Sequence, residues 1–413
     1  MLSRRSTFKA AAGVAAAASI GVQTAQAADK VVKIAIDLSF TGADADSAAR
    51  SANGGVLAFE EANANHVVPG YTFLVEKFDD ATATAGQYDP AQAATNARKI
   101  VSDKGFIAAL GPQMSGAGKA MAPILSQGSL ATITPSSTNP DITNPKFAAQ
   151  YMPAGKAIYF RTVATDAFQG PNMANFMMDT LKVKSVFILD DSGAYGVGLA
   201  DAFQGQAEKR GMKVMGRDRL DPKAADYSAI LTKVKSLNPD ALYYGGVGQA
   251  GVKLVKQSYD IVPTMIKAGG DGIYGGDTLT GGGFPAVDGW YATNASPHVT
   301  EDTKAKKFAE DFHKRFGMYI IDYSATCYVG AQVIIQAVKG LAAAGKPVTR
   351  ETVRDAINGI KLADSLIGPV EFDQYGDIKN KVISVFQVKK DATKPLDDPD
   401  SQFKYIGIAP AVS

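Results

Sequence analysis

The sequence predicts an α/β protein of two lobes, each a doubly wound parallel sheet with helices on both faces. Three observations lead there. Short β-branched runs alternate with longer helical patterns, the signature of βαβ units. The alternation restarts about midway, after an irregular stretch at 140–160 that holds Pro140, Pro145, Pro153 and Gly155. The chain has 413 residues and a single cysteine, Cys327, so no internal disulfide is available and large apolar cores must hold the lobes together.

In the first series, residues 32–37 read as a strand, and 49–63 as a helix with Val56, Leu57 and Phe59 on its apolar face. A strand at 71–78, a helix at 90–101 and a strand at 107–110 follow. A helix at 119–126 and a strand at 131–134 complete it. The second series has strands at 185–189, 213–216, 241–244 and 264–267, with helices at 196–210, 227–237 and 252–259 between them. Beyond Trp290 the pattern turns helical at 302–316, 324–344 and 349–360. Two strands, 368–372 and 382–386, then flank the turn Tyr375-Gly376-Asp377.

Residues 1–27 read as an export leader. Arg4, Arg5 and Lys9 precede an apolar, alanine-rich run, and Ala25-Gln26-Ala27 supplies the small residues behind which a signal peptidase cuts. The run is shorter than the roughly 20 apolar residues of a membrane-spanning helix. The paired arginines resemble a twin-arginine export signal, with an ordinary secretory leader as the alternative. No cysteine follows the cut, so no acylated anchor is expected there, and the periplasm is the expected compartment.

Charge narrows the partners. The chain carries 43 Lys+Arg and 41 Asp+Glu, and the leader removes three of the bases, leaving a nearly neutral mature protein. Such a balance, without a basic run, offers no field for nucleic acid or an anionic membrane surface.

In open α/β sheets, ligands sit beyond the C-terminal ends of strands, near helix N-termini. Two loops there are rich in small polar groups: 111–118, with Gln113 and Ser115, and 135–140, with Ser136 and Thr138. Hydroxyls and free backbone N–H groups in such loops suit a carboxylate, although they also serve as plain helix caps. In the second lobe, Tyr195 either faces the cleft or seals a turn. Asp271, flanked by glycines, either receives an ammonium group or solvates its turn.

Catalytic constellations are scarce. His66, His298 and His313 stand apart from any nucleophile motif, and Cys327 lies in an apolar helical stretch that suits a buried packing thiol. Around Ser115 the nucleophile-elbow pattern fails, because Gln113 and Ala117 replace its glycines. No cluster has metal-ligand spacing. One competing motif is Gly246-Val247-Gly248-Gln249-Ala250-Gly251, which follows a strand, precedes a helix and is trailed 20 residues later by Asp271. That is a dinucleotide-binding fingerprint, and it keeps an exported nucleotide-dependent oxidoreductase as the alternative from another class.

Several segments, in order, resemble one family. They are Val32-Lys33-Ile34-Ala35 with Thr41-Gly42, Leu57-Ala58-Phe59-Glu60-Glu61, Asp79-Asp80, and Ile133-Thr134-Pro135-Ser136. Phe160-Arg161-Thr162, Gln169-Gly170-Pro171, Tyr195-Gly196-Val197-Gly198 and Tyr243-Tyr244-Gly245-Gly246 continue the series. Together they resemble the periplasmic solute-binding proteins of branched-chain amino acid ABC transporters, the leucine/isoleucine/valine-binding family.

The resemblance implies a type I periplasmic binding protein. Its two lobes are 28–161 with 295–381, and 162–294 with 382–413, joined by a three-segment hinge that closes over one small ligand. It implies a carboxylate-binding hydroxyl at Ser115, a second ligand loop at Ser136 and Thr138, an ammonium-binding acid at Asp271 and a ligand-facing Tyr195. Gln113 joins these as an expected ligand contact. A monomer is expected, without cofactor or metal, that delivers an amino acid to a membrane permease. Asp271 is shorter than the family's usual glutamate, and Ser47 and Val247 replace two of its tyrosines. The space so left suits a branched-chain or other apolar amino acid, with an aromatic carboxylate or amide as the alternative ligand.

Mass spectrometry of the exported protein is expected to find Ala28 as the first residue. An intact Met1 or a lipid-modified start would overturn the leader assignment.

Overall fold

The computed structural model describes residues 29–299 and 303–411; the leader lies outside them. The first sheet collects β1 (Lys30–Leu38), β2 (Tyr71–Asp79), β3 (Phe106–Leu110), β4 (Ala131–Thr134) and β5 (Tyr159–Arg161). All its pairings are parallel, in the order β2-β1-β3-β4-β5. Between these strands run α1 (Ala45–Ala64), α2 (Pro90–Ser102) and α3 (Ser115–Gln127).

After Arg161 the chain leaves this sheet and enters α4 (Asp166–Asp179). It then lays down β6 (Ser185–Asp190), α5 (Ala194–Lys209), β7 (Lys213–Arg219), α6 (Ser228–Leu237), β8 (Ala241–Gly245) and α7 (Gly248–Ile261). β9 (Ile266–Gly269), α8 (Gly276–Gly282) and β10 (Tyr291–Asn294) follow. The chain then returns to the first lobe for α9 (Thr303–Phe316), α10 (Asp322–Ala343) and α11 (Arg350–Asn358). It ends in β11 (Ser384–Val388) and β12 (Phe403–Ile408) of the second sheet, whose order is β12-β11-β10-β9-β8-β6-β7. The two final strands pair antiparallel and the other five parallel.

Alternation along the strands explains the layering, because successive side chains point to opposite faces. Ala35 and Ala109 share a core with Ala93, Ala97, Met121 and Leu125 of α2 and α3. Ile34, Ile36, Ala108 and Leu110 share another with α1 and α10. Both faces are covered, so β3 and β4 are buried along their whole length. Cys327 of α10 is wholly buried, and burial pushes its thiol up to about 12, the wrong direction for a nucleophile.

The three crossings between the sheets lie side by side. The Ala164 N–H donates to Ala295 O at 2.7 Å, and the Ser384 hydroxyl donates to Ser296 O at 2.7 Å. Among the described residues, no helix is long and apolar enough to cross a membrane.

Several elements depart from the sequence reading. The strands expected at 368–372 and 382–386 do not pair with each other. Val370–Glu371 pairs with Lys361–Leu362, whereas Ser384–Val388 joins the second sheet. A hairpin rule sees only the turn between them, and the better partner for the second strand lies in the other lobe. The sequence reading also lacked α4, which Gly170-Pro171 disguises as a break, and the short strands β5, β10 and β12. Pro171 is nevertheless inside α4.

α1 and α10 pack backbone to backbone at Gly54. A Cβ built there would lie 1.9 Å from the Ser324 carbonyl oxygen. The Ser324 hydroxyl donates to Arg50 O at 2.9 Å, and the Ser51 hydroxyl to Tyr323 O at 3.1 Å, across the same contact. Gly54→Ala is therefore expected to destabilise the fold by about 1–3 kcal/mol through overpacking. Urea unfolding should show a lower midpoint with an unchanged slope; an unchanged midpoint would contradict the close approach.

Candidate functional site

The strand ends of the two sheets face each other across a cleft, and one cavity there is lined by residues of both lobes. One wall begins at α3. Met114 offers no side-chain cap, so the first N–H groups of this helix are left without a side-chain partner beside the cavity that Met114 and Ser115 line. The Ser115 hydroxyl accepts from the Asn139 N–H at 3.2 Å, and the Ser136 hydroxyl donates to Gln113 O at 3.2 Å. The Gln113 side-chain oxygen is buried without a hydrogen-bond partner.

This wall is held from behind by Arg161, whose side chain is wholly buried. It donates to Ser137 O at 2.7 Å, Asn139 O at 2.8 Å and the Thr143 hydroxyl at 2.9 Å. Its Nε pairs with Asp377 at 2.7 Å, so one guanidinium fixes the shape of the whole 137–143 loop.

The opposite wall centres on Asp271, which follows β9. Its Oδ1 accepts from the Tyr195 hydroxyl at 2.6 Å and from Gln169 Nε2 at 2.7 Å. Its Oδ2 accepts from the Tyr323 hydroxyl, which comes from α10 in the other lobe. Gln169 Oε1 in turn accepts from the Asp271 N–H at 3.0 Å and the Thr293 hydroxyl at 2.8 Å. Burial pushes the Asp271 carboxyl up, while the hydrogen bonds from Tyr195, Tyr323 and Gln169 pull the other way. Asp166 lies behind, bonded to Gln169 Nε2 at 3.0 Å; burial, then the Asp271 charge, raises it to about 8.

A third acidic group sits where α1 begins. Asp277 of α8 accepts from the N–H groups of Asp46 at 3.2 Å and Ser47 at 2.9 Å, and from the Ser47 hydroxyl at 2.5 Å. It thus caps the first turn of α1 from the opposite lobe. No lysine, arginine or histidine lines the cavity, but Asp44, Asp271 and Asp277 do. The site is suited to a ligand with a positive group, with neutral donors on the α3 wall for an anionic one.

The structure brings Gln113, Ser115, Ser136, Tyr195 and Asp271 to this one cavity, together with Ser47 and Val247. Thr138 does not line it. Its side chain is buried, and its carbonyl accepts from the Asp166 N–H at 2.9 Å, behind the wall. The dinucleotide fingerprint is already occupied by a carboxylate. Asp191 Oδ2 accepts from the Val247 N–H at 3.0 Å, and Oδ1 from the Gly193 N–H at 2.9 Å. A pyrophosphate would meet a negative charge there, and the acid expected for a ribose, Asp271, is engaged by two tyrosines and a glutamine.

Residues 31–393 match the family model described as "Periplasmic binding protein". The chain belongs to that family. This binding protein is 29% identical over 336 residues to a Leu/Ile/Val-binding protein of Rhizobium johnstonii, covering 81% of this chain and 85% of the relative. It is 28% identical to a Leu/Ile/Val-binding protein homolog of Brucella melitensis, over 92% and 97% of the two chains. A leucine binding protein from Thermotoga maritima superposes with a TM-score of 0.77 at 25% identity, over 92% of this chain and 98% of its own. A solute binding protein of R. palustris in complex with benzoate has the same fold, with a TM-score of 0.76 at 18% identity over 93% and 98% of the chains. The type I architecture expected from the sequence is thereby established for this periplasmic binding protein.

Sequence reasoning missed Gln169, Tyr323, Asp44, Asp166 and Asp277 as site residues. Gln169 stood within a quoted stretch of the family resemblance, and Tyr323 within a stretch read only as apolar helix. Asp277 carries no local signal, because its partners are more than 200 residues away in the chain.

Buried acids give this binding protein a pH signature. Asp166 is raised to about 8 and Asp44 to about 7, each chiefly by burial. Between the ordinary carboxylate range and pH 8 the native state therefore holds more protons than the unfolded chain, and stability falls as pH rises. Urea midpoints are expected to drop from pH 5 to pH 8, and Asp166→Asn should make that decline shallower. A variant with the wild-type pH profile would show that Asp166 does not keep its proton in the fold.

Proposed function

We propose that this chain is the exported solute receptor of an ABC importer and that its ligand is an α-amino acid. One observation carries the reading: neutral donors and an open helix N-terminus stand on one wall of the cavity, and the buried Asp271 carboxylate on the other. A carboxylate and an ammonium group on one carbon satisfy both walls together. The relatives named for leucine, isoleucine and valine support the same ligand class.

In this reading the protein performs no chemistry. The lobes 28–161 with 295–381, and 162–294 with 382–413, close over the amino acid through their three adjacent crossings. Tyr323 and Asp277 each bond across the cleft, so closure and ligand capture use the same wall residues. The closed monomer then presents the amino acid to the membrane permease. The leader at 1–27 takes the chain to the periplasm and is removed after Ala27.

An aromatic carboxylate fits less well, because it supplies no cation to Asp271, and a buried carboxylate without one is costly. Calorimetry with amino acids and benzoate on wild type and Asp271→Ala separates the two. Wild type should bind an α-amino acid and ignore benzoate, and Asp271→Ala should lose at least about 30-fold in affinity, the effect of stripping one partner from a buried charge pair. Benzoate binding that survives Asp271→Ala, without amino acid binding to wild type, would overturn the assignment.

A further inference from the structure

We propose that the Asp44–Asp277 end of the cavity is a second cation site, and that the preferred amino acid carries an ammonium or guanidinium group on its side chain. The proposal rests on the amino acid reading above, with Asp271 taking the α-ammonium group.

Asp44 and Asp277 line the same cavity as Asp271, together with Ser47, whose N–H and hydroxyl donate to Asp277. The Asp44 side chain is buried, with 5% exposure overall, and its Oδ2 has no hydrogen-bond partner. Its Oδ1 sits against the start of α7, where a Cβ on Gly248 would lie 3.0 Å away; glycine there admits the carboxylate to this position. Asp277 is held by three donors and aimed across the cleft rather than neutralised by a cation. Neither acid takes part in a salt bridge among the described residues.

An apolar side chain placed at this end would leave Asp44 Oδ2 buried without a partner and would keep Asp44 holding its proton beside Asp277. A cation supplies both the missing donor to Asp44 Oδ2 and the missing counter-charge. Burial and the Asp277 charge already push Asp44 up to about 7, a penalty that a bound cation relieves. Val247 and Tyr274 line the same cavity and offer apolar surface for the methylene stem of such a side chain.

The test is titration calorimetry of ligand-free wild type with lysine, ornithine, arginine, leucine and norleucine. At least one basic amino acid is expected to bind tenfold or more tightly than norleucine, whose stem matches that of lysine without the charge. In Asp44→Asn, circular dichroism matching that of wild type should report an intact fold, while the basic ligand loses at least tenfold more affinity than norleucine does. Leucine or norleucine binding as tightly as every basic amino acid would overturn the second cation site and leave the amino acid reading standing. Equal losses for basic and apolar ligands in Asp44→Asn would also overturn it, as they would mark a general structural role. Failure of every α-amino acid to bind wild type would remove both readings together.

Discussion

The Asp271 carboxylate is the constraint around which the cleft is organised. It is buried with no cation beside it, so it is tolerable only because every donor near it is aimed at it. Satisfying it draws on four separate places in the chain. Gln169 comes from the helix that follows the first crossing, Tyr195 from α5, Thr293 through Gln169 from β10, and Tyr323 from the opposite lobe. The geometry of both lobes near the cleft is therefore set by one charge that still lacks a counter-charge, and this makes the position receptive to an ammonium group.

The opposite wall obeys a complementary rule. There the buried charge is a cation, Arg161, whose three nitrogens bond two carbonyls, a hydroxyl and Asp377 and which does not line the cavity. Its role is to hold the 137–143 loop rigid, so that the hydroxyls in front of it and the open start of α3 face the cavity with little freedom to lose on binding. One wall thus stores unpaired negative charge and the other offers uncharged donors on a rigid backing. In the proposed function, the contrast between the walls would orient a zwitterion.

The lobes are joined by polar contacts across the cleft as well as by apolar packing. Asp277 caps α1, Asn139 donates to Ala194 O at 2.8 Å, and Tyr323 reaches Asp271, each across the cleft. Each of these polar groups could be satisfied by water in an opened form, while apolar packing also joins the lobes, since Ala35, Met121 and Tyr159 belong to the same buried cluster as Phe187, Leu242 and Trp290. Closure then depends on what the ligand adds between the walls. The adjacent crossings at Ala164, Ala295 and Ser384 are where the proposed closure would bend the chain.

Much of this was legible in the chain itself. Strand and helix periodicity gave the two α/β lobes, because alternation of period two and helical patterns are local properties. Loop position after a strand singled out Gln113, Ser115 and Ser136, and glycine-flanked acidity singled out Asp271. The same local rules failed where partners are distant. They set 368–372 and 382–386 around one turn without finding their separate partners, passed over α4 because of Gly170-Pro171, and left Gly246 to Gly251 open as an alternative nucleotide loop, which Asp191 already fills. Thr138 looked equivalent to Ser136 in its loop, yet the backbone turns it behind the wall. What the sequence determined by itself was the set of elements and the polar character of their strand-end loops, since both follow from short-range pattern and residue chemistry. Which carboxylates meet, which are satisfied and which are left open was decided only by the tertiary structure, because Asp44, Asp271 and Asp277 acquire their meaning from donors supplied by the opposite lobe.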